Sequence, residues 1–226
     1  MAMNVLQFEA ANNHLKDALT AHPTHSELRA YYLYFLVQTA STLAFNAGAI
    51  KQAIDFAYNT LREHRSDVYT LSAAGWLNYR QGREMKPHAK DAHTEAGMAT
   101  FGRERTKYYA RAAELYEKAL LVDPECSFAA QALAIAVAEN ALALPGTATN
   151  EDSRTRIANA RQALGVFQRV RETLMDGSVY VNMGHCYFAN DEFERAIESV
   201  RSLGVAGSAF PKASRTLTFC APSRLP

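Results

Sequence analysis

The stretch AAELYEKALLVDP, residues 112–124, decides the fold. Ala112, Tyr116 and Ala119 follow one another at spacings of four and three residues, which places them on one face of a helix. Pro124 lies five residues beyond Ala119 and ends the helix, because proline cannot continue the helical hydrogen bonding. Small alanines let a second helix approach closely, and the aromatic ring fills the space beside them. The stretch therefore predicts the second helix of a closely packed helical pair.

The same spacing recurs near the amino end, where Ala11, Leu15 and Ala18 are followed by Pro23. Pro23 again lies five residues beyond the second alanine, so the stop signal has the same position relative to the helix face. A packing pattern that repeats along one chain indicates stacked units rather than a single globular core.

A complementary pattern surrounds Gly184. The glycine permits a close helix contact, Tyr187 would pack on the neighbouring helix, and Ala196, twelve residues after the glycine, would lie at the start of the second helix. Gly75, followed by Trp76, begins a similar block. The two half-patterns together are typical of tetratricopeptide (TPR) repeats. They predict an all-α fold, a TPR solenoid in which antiparallel helix pairs form a right-handed superhelix.

We expect the array to fill residues 1–203, as about four repeats after an unpaired second helix, and residues 204–226 to form a disordered tail. After residue 198 the chain has no acidic residue, which favours an error in the gene sequence over a genuine tail. The predicted helices are 5–21, 26–42, 50–64, 67–80, 104–122, 127–143, 152–174, 178–189 and 191–203. Insertions are predicted near 42–50, 81–106 and 144–152; loops of this kind are functional or disordered, and we favour disorder.

Two helix starts have the spacing of a capping box, in which a short polar residue precedes a glutamate by three positions. Thr24 with Glu27 predicts the start of the helix near residue 26, and Asp191 with Glu194 predicts the start of the last helix.

Composition narrows the class of protein. The 226 residues carry 24 basic and 23 acidic side chains, so no excess of cations exists to neutralise the phosphates of a nucleic acid. Three widely spaced cysteines do not make a disulfide framework and favour a reducing compartment. The amino end does not have the pattern of a secretory signal, and no stretch is apolar enough to span a bilayer. We expect a soluble intracellular protein with no direct nucleic-acid or membrane partner.

No pattern for chemical catalysis is present. Phosphate-binding glycine loops, nucleophile-elbow motifs and paired C-x-x-C cysteines are absent from the sequence. His185 and Cys186 are neighbours, and adjacent helical residues point about 100° apart, so they do not readily hold one metal ion. We expect no catalytic residue, no metal, no cofactor and no small-molecule substrate.

Four runs of sequence resemble the large TPR subunit of the Paf complex, the RNA polymerase II-associated factor, in its filamentous-fungal form. They are residues 15–29, 67–76, 113–120 and, most closely, 177–187, which reads GSVYVNMGHCY. The similarity extends over roughly residues 12–198, and the chain would be a fragment of that longer subunit. The resemblance implies a nuclear scaffold without enzymatic activity. Its partners would be the other Paf-complex subunits and the RNA polymerase II machinery, and its role would lie in transcription elongation and histone modification.

The concave surface of a TPR superhelix is lined mainly by first-helix side chains and binds peptide segments. The helix faces that avoid the glycine packing row select nine candidate groove residues: Tyr69, Trp76, Tyr79, Arg80, Gln131, Ile135, Glu139, Val181 and His185. Aromatic and arginine side chains dominate interface energetics, which favours this set. For Trp76, packing between repeats is an equally good interpretation.

The alternative function is that of a generic TPR adaptor or co-chaperone, which binds peptide segments of other proteins. A clamp for an acidic carboxylate tail needs several Lys, Arg and Asn side chains that converge on the groove. The sequence offers Arg80 with Asn78 nearby, and this small number disfavours the clamp.

Overall fold

The structure, a computed structural model, describes residues 8–42, 47–90, 92–142, 150–173 and 177–206. Within these residues all regular secondary structure is helical, so the predicted all-α, TPR-like solenoid is confirmed. The helices are α1 Phe8–Ala21, α2 Ser26–Thr42, α3 Ala47–Glu63, α4 Val68–Glu84, α5 Glu95–Val122, α6 Ser127–Leu142, α7 Asn150–Thr173, α8 Gly177–Ala189 and α9 Phe193–Ala206.

The helices form two layers. Each helix packs against its neighbours in the chain, and the closest pairs are α4 with α5, α6 with α7 and α8 with α9. The first helices α2, α4, α6 and α8 also contact one another in order, which makes them the inner layer. Among the described residues the outer helices α3 and α5 have no comparable contact with each other. Such splaying of the second helices is what a curved solenoid of helix pairs requires.

The α4–α5 pair carries the packing pattern that identified the repeat. Ala112, Tyr116 and Ala119 are all fully buried. A Cβ atom placed on Gly75 would lie 2.6 Å from Cε1 of Tyr116, so the aromatic ring occupies the space that the glycine leaves. The glycine of the first helix and the tyrosine of the second are thus one packing unit, since any larger residue at position 75 would displace the ring.

The α8–α9 pair has the same arrangement with a different partner. A Cβ atom on Gly184 would lie 3.0 Å from Cγ2 of Val200 and 3.2 Å from the carbonyl oxygen of Ala196. Tyr187 is half-buried, and the guanidinium of Arg195 lies 5.9 Å from the centre of its ring. Here the side chain opposite the glycine is aliphatic because the spacing at α9 places Val200 where α5 has an aromatic.

The amino-terminal copy of the pattern is less deeply buried. Ala11 is buried, Ala18 is half-buried and Pro23 is exposed after the end of α1. The carbonyl oxygen of Pro23 accepts a 2.8 Å hydrogen bond from Nη1 of Arg29, which fixes the turn to α2. Pro124 is likewise exposed, just past the end of α5.

The predicted insertion at 81–106 is mostly helical. α4 continues to Glu84, and α5 begins at Glu95, where the side chain of Thr94 accepts a hydrogen bond from the backbone N–H of Gly97 at 3.2 Å. A Cβ atom on Gly82 would lie 3.0 Å from Cβ of Tyr108, so the extended ends of the two helices remain in contact. The connection is therefore only residues 85–94, because this second close contact continues the helix pair.

The other predicted insertions are shorter than expected where the structure describes them. Ala47–Ile50 already belongs to α3, and α7 begins at Asn150; residues 43–46 and 143–149 lie outside the described residues. At the carboxyl end, α9 continues through Ala206, three residues beyond the predicted boundary of the array. The predicted disordered tail from residue 207 onward lies outside the described residues.

Neither predicted capping box forms. α2 begins at Ser26, and Nδ1 of His25 accepts the backbone N–H of Leu28 at 3.3 Å, so His25 caps the helix in place of Thr24. A ring nitrogen can accept this hydrogen bond as a side-chain oxygen would.

Asp191 ends α8 and does not cap α9. Its φ of 63° is left-handed, the backbone N–H of Glu192 bonds the carbonyl of Tyr187 at 2.9 Å, and that of Asp191 bonds Phe188 at 3.1 Å. This pair of hydrogen bonds is the Schellman ending of a helix. The prediction from Asp191 and Glu194 was wrong because an aspartate tolerates the left-handed conformation that the ending needs.

Candidate protein-interaction groove

Four of the nine candidate groove residues lie together. Tyr79, Ile135, Glu139 and His185 line one cavity of about 380 Å³ on the inner layer, which we call the inner groove. The remaining lining residues were not predicted; they are Arg83, Arg105, Tyr109, Ala138, Asn182 and Cys186. The groove is built by α4, α5, α6 and α8, so residues from three successive helix pairs converge on it.

Glu139 is the centre of the groove's hydrogen bonding. The hydroxyl of Tyr79 donates to Oε1 of Glu139 at 2.9 Å, and the hydroxyl of Tyr109 donates to Oε2 at 3.4 Å. The two tyrosine rings are themselves in contact, with their centres 5.8 Å apart. Since the three residues come from α4, α5 and α6, a single carboxylate joins three helices. Hydrogen bonds to a charged acceptor are stronger than neutral ones, so this junction fixes the floor of the groove.

Both tyrosines remain protonated donors. Burial, together with the charge of Glu139, raises the pKa of Tyr109 to about 12. The same two causes raise the pKa of Tyr79 well above its usual value. A tyrosinate beside a carboxylate would place two negative charges in a poorly solvated site, which is why ionisation is disfavoured. The floor therefore presents a fixed carboxylate whose charge is satisfied by two hydroxyl groups.

The rim of the groove is cationic. Arg83 is exposed, and Arg105 is half-buried with its guanidinium 5.8 Å from the centre of the Tyr109 ring and 5.9 Å from that of Phe101. Nε of Arg105 is buried and has no hydrogen-bond partner among the described residues. A guanidinium has five N–H donors, and one that is held on an aromatic face is suited to bind a carboxylate or a backbone carbonyl of a peptide.

The third side of the groove comes from α8. His185 is exposed and Asn182 is half-buried, so both offer polar groups to a ligand. Cys186 is buried, and burial followed by the charge of Glu139 raises the pKa of its thiol to about 12. A protonated, buried thiol is a packing group and not a nucleophile.

The other candidate residues on α4 do not line the groove. Trp76 is only 5% exposed, and the guanidinium of Arg80 lies 5.4 Å from the centre of its ring. Each helical residue turns the chain by about 100°, so the line of Tyr79 and Arg83 is rotated by about 60° from the line of Trp76 and Arg80. Trp76 is therefore part of the hydrophobic core and does not line the cavity.

Three further candidates also lie outside the cavity. Tyr69 and Val181 are half-buried, and Gln131 is 7% exposed. Gln131 and Val181 precede Ile135 and His185 by one helical turn, so they share the helix face but not the depth of the groove. The sequence pattern predicts which face of a helix points toward the groove, whereas the curvature of the array determines which turn of that helix lines it.

Arg83, Arg105, Tyr109 and Asn182 were not found from the sequence. Arg83 follows Tyr79 by four residues, a spacing that already places the two on one face. Arg105 and Tyr109 have the same spacing but were assigned to the insertion and to the outer helix, respectively. A helix start at Thr94, with Glu95 in the first turn, was the signal that would have placed both on a long α5.

The described part of the chain contains neither a candidate metal site nor a candidate membrane-spanning helix. There, no three side chains among His, Cys, Asp and Glu gather closely enough to ligate a metal ion. None of the helices in the described ranges combines the length and the apolar character that a membrane span requires.

Comparison with known proteins supports a TPR-type protein. Tetratricopeptide repeat protein 1 of Schizosaccharomyces pombe is 25% identical over 184 residues, which are 81% of this chain and 15% of that protein. RNA polymerase-associated protein CTR9 of Saccharomyces cerevisiae is 36% identical over 97 residues, 42% of this chain and 7% of that protein. No family model matches the chain.

The fold and these similarities support a TPR-type helical-repeat architecture. The matched region spans about a seventh of the length of the fission-yeast protein and less than a tenth of the length of the budding-yeast protein. The chain therefore corresponds to a small part of each relative.

Proposed function

We propose that this chain is a non-enzymatic scaffold whose inner groove binds a segment of a partner protein. The observation that carries the proposal is the Tyr79–Glu139–Tyr109 junction beneath a rim of two arginines. The junction holds the floor rigid, and rigid floors reduce the entropy lost on binding. Arginine and tyrosine are also the residue types that contribute most to protein interfaces.

The partner set that we propose is the Paf complex, with the chain acting in RNA polymerase II elongation and co-transcriptional histone modification in the nucleus. Support comes from the four runs of sequence that resemble the large Paf-complex subunit. The similarity to the budding-yeast RNA polymerase-associated protein, 36% over 97 residues, supports the same assignment.

Affinity purification from fungal nuclear extract tests this proposal. The bait is the tagged chain, and the groove variant is Arg83→Glu, which reverses an exposed charge at the rim. The matched control is Arg103→Glu, an exposed arginine of α5 that does not line the groove. We expect the wild type and the control to retain Paf-complex subunits, and the groove variant to lose them by about tenfold, which corresponds to about 1.4 kcal/mol, because the reversed charge repels groups that Arg83 would attract.

Recovery of chaperones without Paf-complex subunits would contradict the assignment to transcription. Equal recovery with Arg83→Glu and Arg103→Glu would contradict the role of the inner groove.

The second candidate function is an adaptor that binds acidic carboxyl-terminal tails. One observation favours such a clamp: Arg83, Arg105 and Asn182 all lie at the groove, so it holds more cationic and amide side chains than the sequence predicted. Another observation disfavours the clamp. Asn78 is buried and donates to the carbonyl of Ala74 at 2.7 Å, so this side chain is not available to a ligand. The test compares an acidic peptide that has a free carboxyl terminus with its amidated form. An adaptor of this kind would bind the free form at least about tenfold more tightly.

A further inference from the structure

A second cavity lies on the opposite layer, between the outer helices α3 and α5. Its volume is about 1020 Å³, at the upper end of the range of about 300–1,000 Å³ that holds small molecules. We call it the outer groove and define it by four cationic residues, Arg62, Arg65, Arg111 and Lys118, above two leucines, Leu71 and Leu115. None of these residues lines the inner groove.

The outer groove exists because α3 and α5 diverge while α4 packs against both. Leu71 of α4 and Leu115 of α5 are 3% and 2% exposed, so their side chains form a buried apolar floor. The cavity is thus a channel between two helices, with an apolar base and polar walls. Peptide segments bind to channels of this kind by placing apolar side chains on the floor.

The walls of the outer groove carry an excess of positive charge. Arg111 and Lys118 share one acidic partner, Glu114, at 2.6 Å and 2.7 Å, so one of their two charges is left uncompensated. Asp55 is the acidic residue of the lining. Taken together, the four cations and these two carboxylates leave an excess of two positive charges.

Arg62 and Arg65 contribute to that excess. Both are exposed, and neither forms an ion pair with any residue that the structure describes. Arg62 lies in the last turn of α3, where the helix dipole favours a cation, so its position has a local cause. Arg65 lies beyond the end of α3, so the helix dipole does not provide the same local cause for a cation at this position.

The guanidinium of Arg111 is already oriented. Its Nε donates to the hydroxyl of Tyr58 at 3.0 Å, and its centre lies 5.4 Å from the middle of the same ring. Nη1 bonds Glu114. A guanidinium has five N–H donors, so these contacts fix the group and leave donors for a ligand. Little side-chain entropy would be lost when such a group binds a carboxylate.

We infer that the outer groove binds an acidic protein segment that also carries apolar side chains. Carboxylates of the segment pair with Arg62, Arg65 and the uncompensated charge of Arg111 and Lys118, and its apolar residues lie on the two leucines. Charge complementarity selects the sign of the partner, and the apolar floor selects a polypeptide with mixed character.

A nucleic acid fits the same groove less well. Arg111 covers one face of the Tyr58 ring, so a base cannot stack on that face. The whole chain has a net charge of only +1, so it carries no overall excess of cations for the phosphates of a nucleic acid.

The test measures fluorescence anisotropy of a labelled peptide made of repeated Glu-Glu-Leu triplets. Gln-Gln-Leu peptide and single-stranded oligothymidine are the comparison ligands. The groove variant is Arg62→Glu with Arg65→Glu, and the matched control is Arg161→Glu with Arg201→Glu, two exposed arginines of α7 and α9. Both double variants change the net charge by the same amount, and circular dichroism verifies that each is folded.

We expect the acidic peptide to bind the wild type and the control equally, and the groove variant about tenfold or more weakly. The glutamine peptide should bind at least about tenfold more weakly than the acidic one, and added salt should reduce this difference. The inner-groove variant Arg83→Glu should leave the affinity unchanged. Equal weakening in both double variants, a glutamine peptide that binds as well, or tighter binding of the oligonucleotide would overturn the inference.

Discussion

The hydroxyl of Tyr79 donates a 2.9 Å hydrogen bond to Oε1 of Glu139, a residue 60 positions further along the chain. The bond joins α4 to α6, the first helices of two successive repeats. Most contacts in a solenoid are between neighbouring helices and stabilise only one interface. This contact couples two repeats through the floor of the inner groove, so the site and the stability of the array depend on the same pair.

Replacement of Tyr79 by phenylalanine should lower the free energy of unfolding by about 1–3 kcal/mol, because Glu139 loses its shorter hydrogen bond in a partly buried site. Urea denaturation measures the change. Tyr108→Phe is the control, since the hydroxyl of this half-buried tyrosine makes no hydrogen bond to a described residue. A loss that is equal in the two variants would show that the Tyr79–Glu139 bond contributes nothing specific.

Gly75→Ala should destabilise the chain by about 1–3 kcal/mol, because the new Cβ atom would lie 2.6 Å from the ring of Tyr116. Gly165→Ala is the matched control within a helix: no atom lies within 4 Å of its Cβ position, and alanine favours helix over glycine by up to about 1 kcal/mol. Thermal melting should therefore move in opposite directions for the two substitutions. A stabilised Gly75→Ala variant would contradict the described contact.

Ala119→Leu should cost about 1–3 kcal/mol, since Ala119 is fully buried where α5 meets its neighbours. Ala110→Leu, on the exposed face of the same helix, should change stability by no more than about 0.5 kcal/mol. Chemical denaturation of both variants checks this prediction. An unchanged midpoint for Ala119→Leu would mean that the helix is rotated relative to the described structure.

Stability should fall at alkaline pH. Tyr109 and Cys186 have pKa values raised to about 12, from usual values of 10.0 and 9.0, chiefly by burial. Between the usual and the raised values, the unfolded chain releases protons that the folded chain retains. The stabilisation is complete below about pH 9 and is lost as the pH rises toward 12.

Urea midpoints measured across this pH range test the alkaline loss. Tyr109→Phe removes one of the groups with a raised pKa and should make the decline less steep, whatever its effect on stability at neutral pH. A decline of the same steepness in the variant would show that Tyr109 does not retain its proton in the folded state.

Helix packing was the part of the structure that local sequence could predict. The spacing of Ala112, Tyr116 and Ala119 reflects direct contacts between two helices, and such contacts are encoded within a few residues. The long α5 was missed because its amino-terminal part has an ordinary polar surface pattern. Its stability depends on Gly82 against Tyr108, a contact between distant parts of the chain.

The inner groove was predictable only in part for a related reason. Periodicity identified Tyr79, Glu139 and His185 as residues that share first-helix faces, and the structure places all three in one cavity. It could not distinguish the face of Tyr79 from that of Trp76, since both faces of a central helix are rich in aromatic side chains. The contribution of Arg105 comes from the partner helix and depends on how α5 crosses α4.

The central claim, that the inner groove binds a partner protein, is tested most directly by site-specific photo-crosslinking. A benzophenone amino acid replaces His185, which is exposed within the groove, or Glu104, which is exposed on α5 outside it. Each protein is irradiated in fungal nuclear extract, and the adducts are identified by mass spectrometry. The account predicts that the probe at position 185 gives an adduct with a Paf-complex subunit and the probe at 104 does not. No adduct at 185, or the same adducts at both positions, would contradict it.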